Sequence, residues 1–268
     1  MVCFPDIATL RTVVDLATRA PSVNDAQPWR WRIGSAALDL FADQGRFLPR
    51  NDVGRRGLLL SCGAALHHCA AALAAMGWHA KVQRLPQGDD SDHLARIEVS
   101  TRRPDDLDIV LASAIRRRRT DRRPYGSSPV PWGDIAVMGA RAARGGVMLR
   151  QVDADDIAGV ASGADTSTLV ALGTDTDDAL ARLRAGEASS LVLLSATAMG
   201  LASCPVTEPL EVAHTREILR ADVFGGHGHP QVMLRMGWAV FNAEPLPEVP
   251  RRPLSDVTDW LPRPAFSV

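Results

Sequence analysis

Apolar residues follow two different periods near the start of the chain. Between residues 6 and 19 they recur every three or four positions, which predicts an amphipathic helix that Pro21 ends. Residues 29–33 and 38–41 instead alternate between apolar and polar side chains on either side of a Gly-Ser pair. This alternation predicts the two strands of a β-hairpin.

Helical and strand patterns continue along the rest of the chain. The predicted helices cover residues 55–76, 107–117, 132–143, 176–199 and 210–219. The predicted strands cover residues 80–85, 94–99, 147–152, 168–172 and 231–238. A loop is expected over residues 204–209, and the proline-rich residues 245–268 are expected to form an extended tail laid over the body.

Two of the predicted helices resemble each other in sequence. When residues 63–78 are placed over residues 186–201, identical glycine, alanine and methionine residues come into register. The matched pairs are Gly63/Gly186, Ala65/Ala188, Ala75/Ala198, Met76/Met199 and Gly77/Gly200. Each half also has strands around its long helix, so the sequence predicts two similar halves, 1–115 and 116–268, packed as one intertwined unit.

Composition excludes several classes of protein. Hydrophobic residues make up 46% of the chain, and 30 basic side chains nearly balance 31 acidic ones, so neither a disordered chain nor a nucleic-acid binder is expected. The four cysteines are too few and too scattered for a disulfide framework. The longest uncharged apolar stretches are expected to be far shorter than the 18 or more residues of a membrane span, and Asp6 stands where a signal peptide would continue its apolar run. A soluble cytoplasmic protein is therefore predicted.

Motifs for metal, nucleotide and hydrolase chemistry are absent from the sequence. There is no Gly-x-Gly-x-x-Gly or Gly-x-x-x-x-Gly-Lys-Ser/Thr motif for phosphates, and no Gly-x-Ser-x-Gly nucleophile. His67 and His68 share a predicted helix with Cys62 and Cys69, but adjacent helical residues point about 100° apart. We therefore expect no metal site.

The densest positive charge lies in residues 116–123, where six arginines surround Thr120 and Asp121. Such a run is often a solvated helix C-terminus that complements the helix dipole. Alternatively, forked guanidinium groups beside a hydroxyl suit a phosphate monoester. Arg251 and Arg252 form a second pair in the tail, and a tail that folds back would bring both clusters to one dianion.

Four motifs stand out along the chain: Ala-Pro-Ser…Gln-Pro-Trp at 20–29, Arg-Arg-Thr-Asp-Arg at 118–122, Gly-Leu-Ala-Ser-Cys-Pro-Val-Thr-Glu-Pro at 200–209 and Pro-Arg-Arg-Pro-Leu at 250–254. In this order they resemble the motifs of the nitroreductase-like flavoproteins, and specifically of their mycobacterial dormancy-associated branch of single-chain, FMN-binding proteins. The resemblance implies an α+β, FMN-dependent nitroreductase-like fold. Its two pseudo-repeated halves would imitate the family dimer in one chain and share one composite flavin site.

The resemblance also implies which residues bind the cofactor FMN. Phosphate contacts are expected from Arg118, Thr120, Arg122, Arg251 and Arg252. The isoalloxazine and ribityl side is expected to lie near Ser22, Asn24, Asp25, Gln27, Pro28, Trp29, Arg30 and Trp31. The flavin N5 edge is expected to face the backbone of Pro205, Val206, Thr207 and Glu208. For Trp29 and Trp31, packing of the hairpin core is the simpler alternative, because a period-two strand must bury one face.

The implied activity is NAD(P)H-dependent reduction of nitroaromatics or quinones. Because hydride would pass through N5 of the flavin, no catalytic side chain is expected. Two alternatives stay open: a protein that sequesters or stores FMN without turnover, and a degenerate scaffold that has lost the cofactor. The oligomeric state also stays open between a monomer that imitates a dimer and a homodimer.

Two departures from the family pattern bear on the cofactor. Asn24-Asp25 stands where the branch usually has His-Asn, which is expected to put negative charge near the flavin and to make its reduction harder. Residues 153–167 replace a longer insert that partly covers the flavin in related chains. A more exposed flavin, or an incomplete site, is therefore expected.

Overall fold

The computed structural model describes residues 4–46, 55–152 and 167–262. The chain divides into two compact units: unit 1 comprises Met1–Arg116 and Pro250–Val268, and unit 2 comprises Arg117–Val249. The first boundary lies one residue from the predicted one. The tail, however, was expected to belong to the second half and instead folds with unit 1.

Unit 1 is built on a five-stranded sheet. Its helices are α1 (Ile7–Ala17), α2 (Arg56–Ala75), α3 (Asp106–Arg117) and α7 (Leu254–Val257), and its strands are β1 (Trp29–Ile33), β2 (Ala37–Ala42), β3 (Trp78–Arg84), β4 (His93–Thr101) and β9 (Thr258–Trp260). The strand order is β3-β4-β2-β1-β9. Neighbouring strands are antiparallel except β9, which pairs in parallel with β1.

Local sequence explains the first elements of unit 1. The Asp6 carboxylate accepts a hydrogen bond of 2.7 Å from the backbone N–H of Thr9 and so caps α1. Along β1 the apolar residues point inward and the two arginines outward, as the alternation predicts. Every residue from Leu58 to Leu66 is buried, so α2 is enclosed on all sides over more than two turns.

Helix α2 also bears on the expected absence of a membrane span. It is long and apolar enough to cross a bilayer, so the expectation that no stretch reaches that length is wrong. However, 78% of the most apolar 18-residue stretch of this helix is buried inside the protein. Core helices of folded domains pass the same test of length and composition, and the helix carries no conclusion about a membrane.

Unit 2 is built on a four-stranded antiparallel sheet. Its helices are α4 (Trp132–Ala143), α5 (Ala179–Ala198) and α6 (Ala213–Asp222), and its strands are β5 (Met148–Val152), β6 (Thr168–Thr174), β7 (Ala202–Val206) and β8 (His229–Gly237). The strand order is β5-β6-β8-β7. Leu169, Met233 and Phe224 belong to a buried apolar cluster that α6 joins through Leu219.

The two units repeat one topology, as the sequence predicts. Each begins with a helix and a pair of antiparallel strands, continues through a helix of 20 residues, and adds a second antiparallel pair. The strand orders β3-β4-β2-β1 and β7-β8-β6-β5 then correspond strand for strand. Gly77 and Gly200, matched in the sequence alignment, end the two long helices with φ of 86° and 87°.

Two expectations about the second half and the tail are wrong. Residues 204–209 are not a loop: β7 extends to Val206, and a 3₁₀ turn follows at Glu208–Glu211. Pro205 fits in β7 because an edge strand has backbone N–H positions that no neighbouring strand needs. The tail is not only extended, because it forms α7 and then β9. The shortened segment 153–167 lies outside the described residues except for Ser167.

Substituting the paired helix-ending glycines tests the repeat. Gly77→Ala and Gly200→Ala should each lower the free energy of unfolding by about 1–2 kcal/mol, because an L side chain is strained at positive φ. Urea denaturation measures this. Gly133→Ala is the control: its Cβ would meet no atom within 4 Å, and alanine favours the helix, so stability should stay equal or rise. Equal losses of stability at all three positions would contradict a left-handed backbone at Gly77 and Gly200.

Candidate functional site

The loop before β1 has an unusual backbone. Asn24, Asp25 and Gln27 have φ of 52°, 51° and 49°, in the left-handed region. Asparagine and aspartate enter this region more readily than other residues, but glutamine does not. Gln27 also precedes a proline, which further restricts its backbone. The surrounding structure must therefore stabilise the loop, and strain of this kind is concentrated at functional sites.

Helix α2 holds the loop from one side. The backbone N–H of Val23 donates to Ser61 Oγ at 3.1 Å, and Cys62 Sγ donates to the carbonyl oxygen of Pro28 at 3.2 Å. Burial raises the pKa of the Cys62 thiol far above its ordinary value, which keeps it protonated and able to donate. Within the loop, Ser22 Oγ accepts a hydrogen bond of 3.1 Å from the Gln27 backbone N–H.

The tail holds the loop from the other side through the Gln27 side chain, which is buried. Gln27 Nε2 donates to the carbonyl oxygen of Pro250 at 3.2 Å, and Gln27 Oε1 accepts from the backbone N–H of Arg252 at 3.0 Å. Both ends of the amide are thus engaged by two residues of the tail. The structure brings together the Gln-Pro-Trp loop and the C-terminal Arg-Arg motif.

Both tail arginines have carboxylate partners in unit 1. Arg251 Nη1 lies 2.8 Å from Asp25 Oδ1, and Arg252 Nη1 lies 3.0 Å from Asp43 Oδ2. The negative charge of Asp25, expected to hinder reduction of a flavin, is therefore compensated locally by Arg251. Asp43 has no motif that would identify it in the sequence, because it follows β2 and meets the tail only in the folded chain.

The two tryptophans of β1 are fully buried, with no exposed surface. Each therefore packs in the interior, as the core-packing alternative expects, and neither indole N–H has a hydrogen-bond partner among the described residues. Arg30, on the opposite face of β1, is half-exposed and lies 3.3 Å from Asp259 of β9. Its contact supports the edge pairing of the tail.

In unit 2 the arginine run contains buried, paired and exposed side chains. Arg118 is 5% exposed, and its Nη1 donates to Thr120 Oγ1 at 3.4 Å. Arg119 Nη2 lies 3.1 Å from Glu248 Oε1, whereas Arg122 is exposed. The run is therefore not a uniformly solvated helix end. It contains a buried cation beside a hydroxyl.

Strand β7 lies beside this cation. Thr120 and Ser203 form an isolated parallel bridge, and the Asp121 N–H donates to the Ser203 carbonyl oxygen at 3.0 Å. The Ser203 hydroxyl is buried, with the residue 1% exposed, and has no hydrogen-bond partner among the described residues. Sequence reasoning did not single out Ser203, although it lies inside the quoted motif at 200–209.

The segment predicted to face N5 continues from β7 into the 3₁₀ turn. Pro205 and Val206 are half-buried strand residues, and Thr207 precedes the turn. The backbone N–H of Thr207 donates to Glu208 Oε2 at 3.1 Å, so the adjacent carboxylate occupies that donor. The assignment of these residues to a flavin stays a prediction.

A second network fixes the residues that follow Thr120. The buried carboxylate of Asp121 accepts from Nε of Arg123 at 2.9 Å and from its Nη2 at 2.8 Å, and these bonds hold the pKa of Asp121 below its usual value. Tyr125 Oη donates to the Asp121 carbonyl oxygen at 2.7 Å. The Arg235 guanidinium lies 4.6 Å from the centroid of the Tyr125 ring.

The described part of the chain contains no group of three or more His, Cys, Asp or Glu side chains placed to hold a metal ion. Burial lowers the pKa of His67 to about 4, so this ring is neutral at pH 7. His68 and Cys69 are fully buried. Cys62, His68 and Cys69 are thus core residues of unit 1, whereas His67 is half-buried.

Comparison with known proteins identifies the class. A model of the nitroreductase family matches residues 157–238. A Mycobacterium tuberculosis protein named “Putative NAD(P)H nitroreductase” is 49% identical over 319 aligned positions, which cover 96% of this chain and 93% of that protein. Together with the repeated α+β topology, this shows that the chain belongs to the nitroreductase family, a family of oxidoreductases.

Two further comparisons agree with the family assignment. The M. tuberculosis protein acg, which carries the same description, is 31% identical over 92% of this chain and 94% of its own length. The crystal structure of a “putative nitroreductase” from Anabaena variabilis superposes with a TM-score of 0.61 over 88% of this chain and 90% of that one, at 9% identity. The latter comparison supports the fold alone.

The alignments also bear on the shortened segment. Because the 319 aligned positions exceed the 268 residues of this chain, the relative contains residues with no counterpart here. This agrees with the expected loss of an insert.

Removing the charge of Asp121 tests the network around Thr120. At pH 7, Asp121→Asn should lower the free energy of unfolding by about 1–3 kcal/mol, because bonds to a charged, buried acceptor are lost. A carboxyl with a depressed pKa stabilises the fold above its ordinary pKa of 3.8, and this stabilisation is lost as the pH falls. The difference between variant and wild type should therefore shrink below about pH 3.8 in urea denaturation.

The exposed carboxylate Glu98 provides the control, because Glu98→Gln removes only a surface pair with Lys81. The effect of Glu98→Gln on the free energy of unfolding should be small at pH 7 and at pH 3. A deficit of Asp121→Asn that stays constant between pH 7 and pH 3 would rule out the charged hydrogen bonds as its cause.

Proposed function

We propose that this protein binds FMN and uses it as an NAD(P)H-dependent oxidoreductase acting on nitroaromatics or quinones. The observation that carries the proposal is the buried Arg118 guanidinium beside Thr120, together with the unpartnered Ser203 hydroxyl on the neighbouring strand. Membership of the nitroreductase family and the name of the 49% identical relative support the choice of cofactor class and electron donor.

The donor set fits the phosphate end of FMN. A phosphate monoester carries close to two negative charges and accepts several hydrogen bonds, and guanidinium and hydroxyl groups are strong partners for it. Arg118 is already fixed by burial, so it loses little conformational freedom when an anion binds. The Ser203 hydroxyl would gain the partner that it lacks, and leaving such a group unsatisfied costs about 1–3 kcal/mol.

In this proposal the chain binds and orients, and bound FMN supplies the two-electron chemistry. Arg118, Thr120 and exposed Arg122 would hold the phosphate, with Ser203 beside them. The loop at 22–28 of unit 1 keeps its predicted role at the ring and ribityl chain. No proton-transferring side chain is required by this division of roles.

The first test is whether the purified protein contains flavin and whether NAD(P)H reduces it. We expect a yellow protein whose flavin absorbance bleaches within seconds when excess NADPH or NADH is added without oxygen. Flavin that stays oxidised for minutes would contradict the oxidoreductase activity and would favour a protein that stores FMN. A colourless protein that binds no added FMN would favour the third alternative, a scaffold that has lost the cofactor.

The second test removes the proposed phosphate ligand. Arg118→Ala should weaken FMN about 10- to 100-fold, because it removes charge-assisted hydrogen bonds worth about 1.5–3 kcal/mol. Riboflavin, which lacks the phosphate, should bind this variant as it binds wild type. Arg184→Ala, which removes an exposed arginine of α5, is the control and should change neither affinity in fluorescence titrations. Unchanged FMN affinity in Arg118→Ala would refute the phosphate site.

A further inference from the structure

The tail arginine Arg252 makes contacts that differ from those of an anion ligand. Its Nη1 donates to the Gln27 carbonyl oxygen at 3.2 Å and to Asp43 Oδ2 at 3.0 Å, and its Nη2 donates to the Asp256 carbonyl oxygen at 3.1 Å. Its side chain and that of Asp43 are 19% and 20% exposed. The guanidinium therefore joins the loop, the end of β2 and the tail.

We infer that Arg252 and Asp43 are positioning residues that hold Gln27 in its strained conformation, and that neither is a ligand of the cofactor phosphate. This inference rests on the proposed function only where it concerns a flavin. The contacts that carry it all lie within unit 1. It departs from the expectation that both tail arginines bind phosphate.

The strain of the loop supplies the physical reason. Gln27 is a non-glycine residue in the left-handed region and also lies before Pro28, and both features disfavour its backbone conformation. The contacts of Arg252 to the Gln27 carbonyl oxygen and to its side-chain Oε1 fix this residue at two points. The bond to the carbonyl oxygen comes from the charged guanidinium, and the bond to Oε1 comes from the Arg252 backbone N–H. A hydrogen bond from a charged donor is stronger than one between neutral groups, so the guanidinium contact opposes the strain.

Electrostatics gives a second, independent reason. A phosphate dianion at Arg252 Nη1 would come close to the Asp43 carboxylate, and like charges at short range repel. To bind the phosphate, Arg252 would have to leave Asp43 and release the Gln27 carbonyl oxygen. The loop predicted to contact the flavin would then lose its fixed position when the cofactor binds.

A comparison of FMN with riboflavin separates a positioning residue from a phosphate ligand. If Arg252 and Asp43 hold the loop, Arg252→Ala and Asp43→Asn should weaken both flavins by the same factor, about 10-fold. The ratio of the two dissociation constants should then stay at its wild-type value. If Arg252 binds phosphate, Arg252→Ala should weaken FMN alone, and this result would overturn the inference.

The double variant provides a further criterion. Arg252→Ala combined with Asp43→Asn should be no weaker for FMN than either single variant, because residues that act through one contact are not additive. Asp92→Asn is the matched control, since it removes another arginine–carboxylate pair of unit 1, with Arg55 at 2.9 Å. It should leave both flavin affinities unchanged. Fully additive losses in the double variant would contradict coupling between Arg252 and Asp43.

Two readouts distinguish positioning from general stabilisation. Visible circular dichroism of FMN bound at saturation should change in Arg252→Ala and Asp43→Asn, because the loop next to the ring is displaced, and it should be unchanged in Asp92→Asn. In the flavin-free protein, amide hydrogen exchange at Val23 and Gln27 should accelerate in the first two variants only. Unchanged exchange at these amides would overturn the inference.

The outcomes also separate this inference from the proposed function. If wild-type protein binds neither FMN nor riboflavin, the proposed function fails. Hydrogen exchange of the flavin-free chain still tests whether Arg252 and Asp43 hold the loop. Conversely, if wild type binds FMN but Arg252→Ala changes neither the exchange nor riboflavin affinity, the proposed function survives and the positioning role fails.

Discussion

Gln27 combines a buried side chain, a left-handed backbone and a following proline, and each of these needs support from residues distant in sequence. The support comes from Pro250 and Arg252 in the tail, which bond both ends of its amide. Beyond these bonds, the tail runs along the edge of the sheet. There β9 pairs with β1, and the Leu261 N–H donates to the Ile33 carbonyl oxygen at 2.9 Å. Unit 1 therefore depends on residues from both ends of its sequence.

The repeat explains why so much of the fold is predictable from the sequence. Helix and strand periods are local properties, and each repeated element shows its period clearly: α4 lies at the predicted residues 132–143, and the predicted hairpin is present. The failures occur where long-range pairing overrides local composition. Pro205 and the prolines of the tail indicate loops, but β7 and β9 gain the hydrogen bonds of a neighbouring strand.

The candidate site divides in the same way. Motifs identify Gln27, Arg118 and Arg252, because their spacing and residue types stand out in the sequence. Asp43 and Ser61 carry no such signal: an isolated aspartate after a strand and a serine in an alanine-rich helix are ordinary residues. Their roles come from distances of 3.0 Å to Arg252 and 3.1 Å to the Val23 N–H, which exist only after folding. Sequence reasoning therefore identified the residue of each contact that lies in a motif and missed the residue that it contacts.

With one lysine in the chain, arginine supplies nearly all of the positive side chains. Carboxylate partners identify the arginines that serve the structure. Arg119 and Arg123 pair with Glu248 and Asp121, so part of the run at 116–123 is explained by ion pairs within unit 2. Arg118 is buried and donates to the Thr120 hydroxyl. The same criterion assigns Arg252, which faces Asp43, to the architecture of the loop.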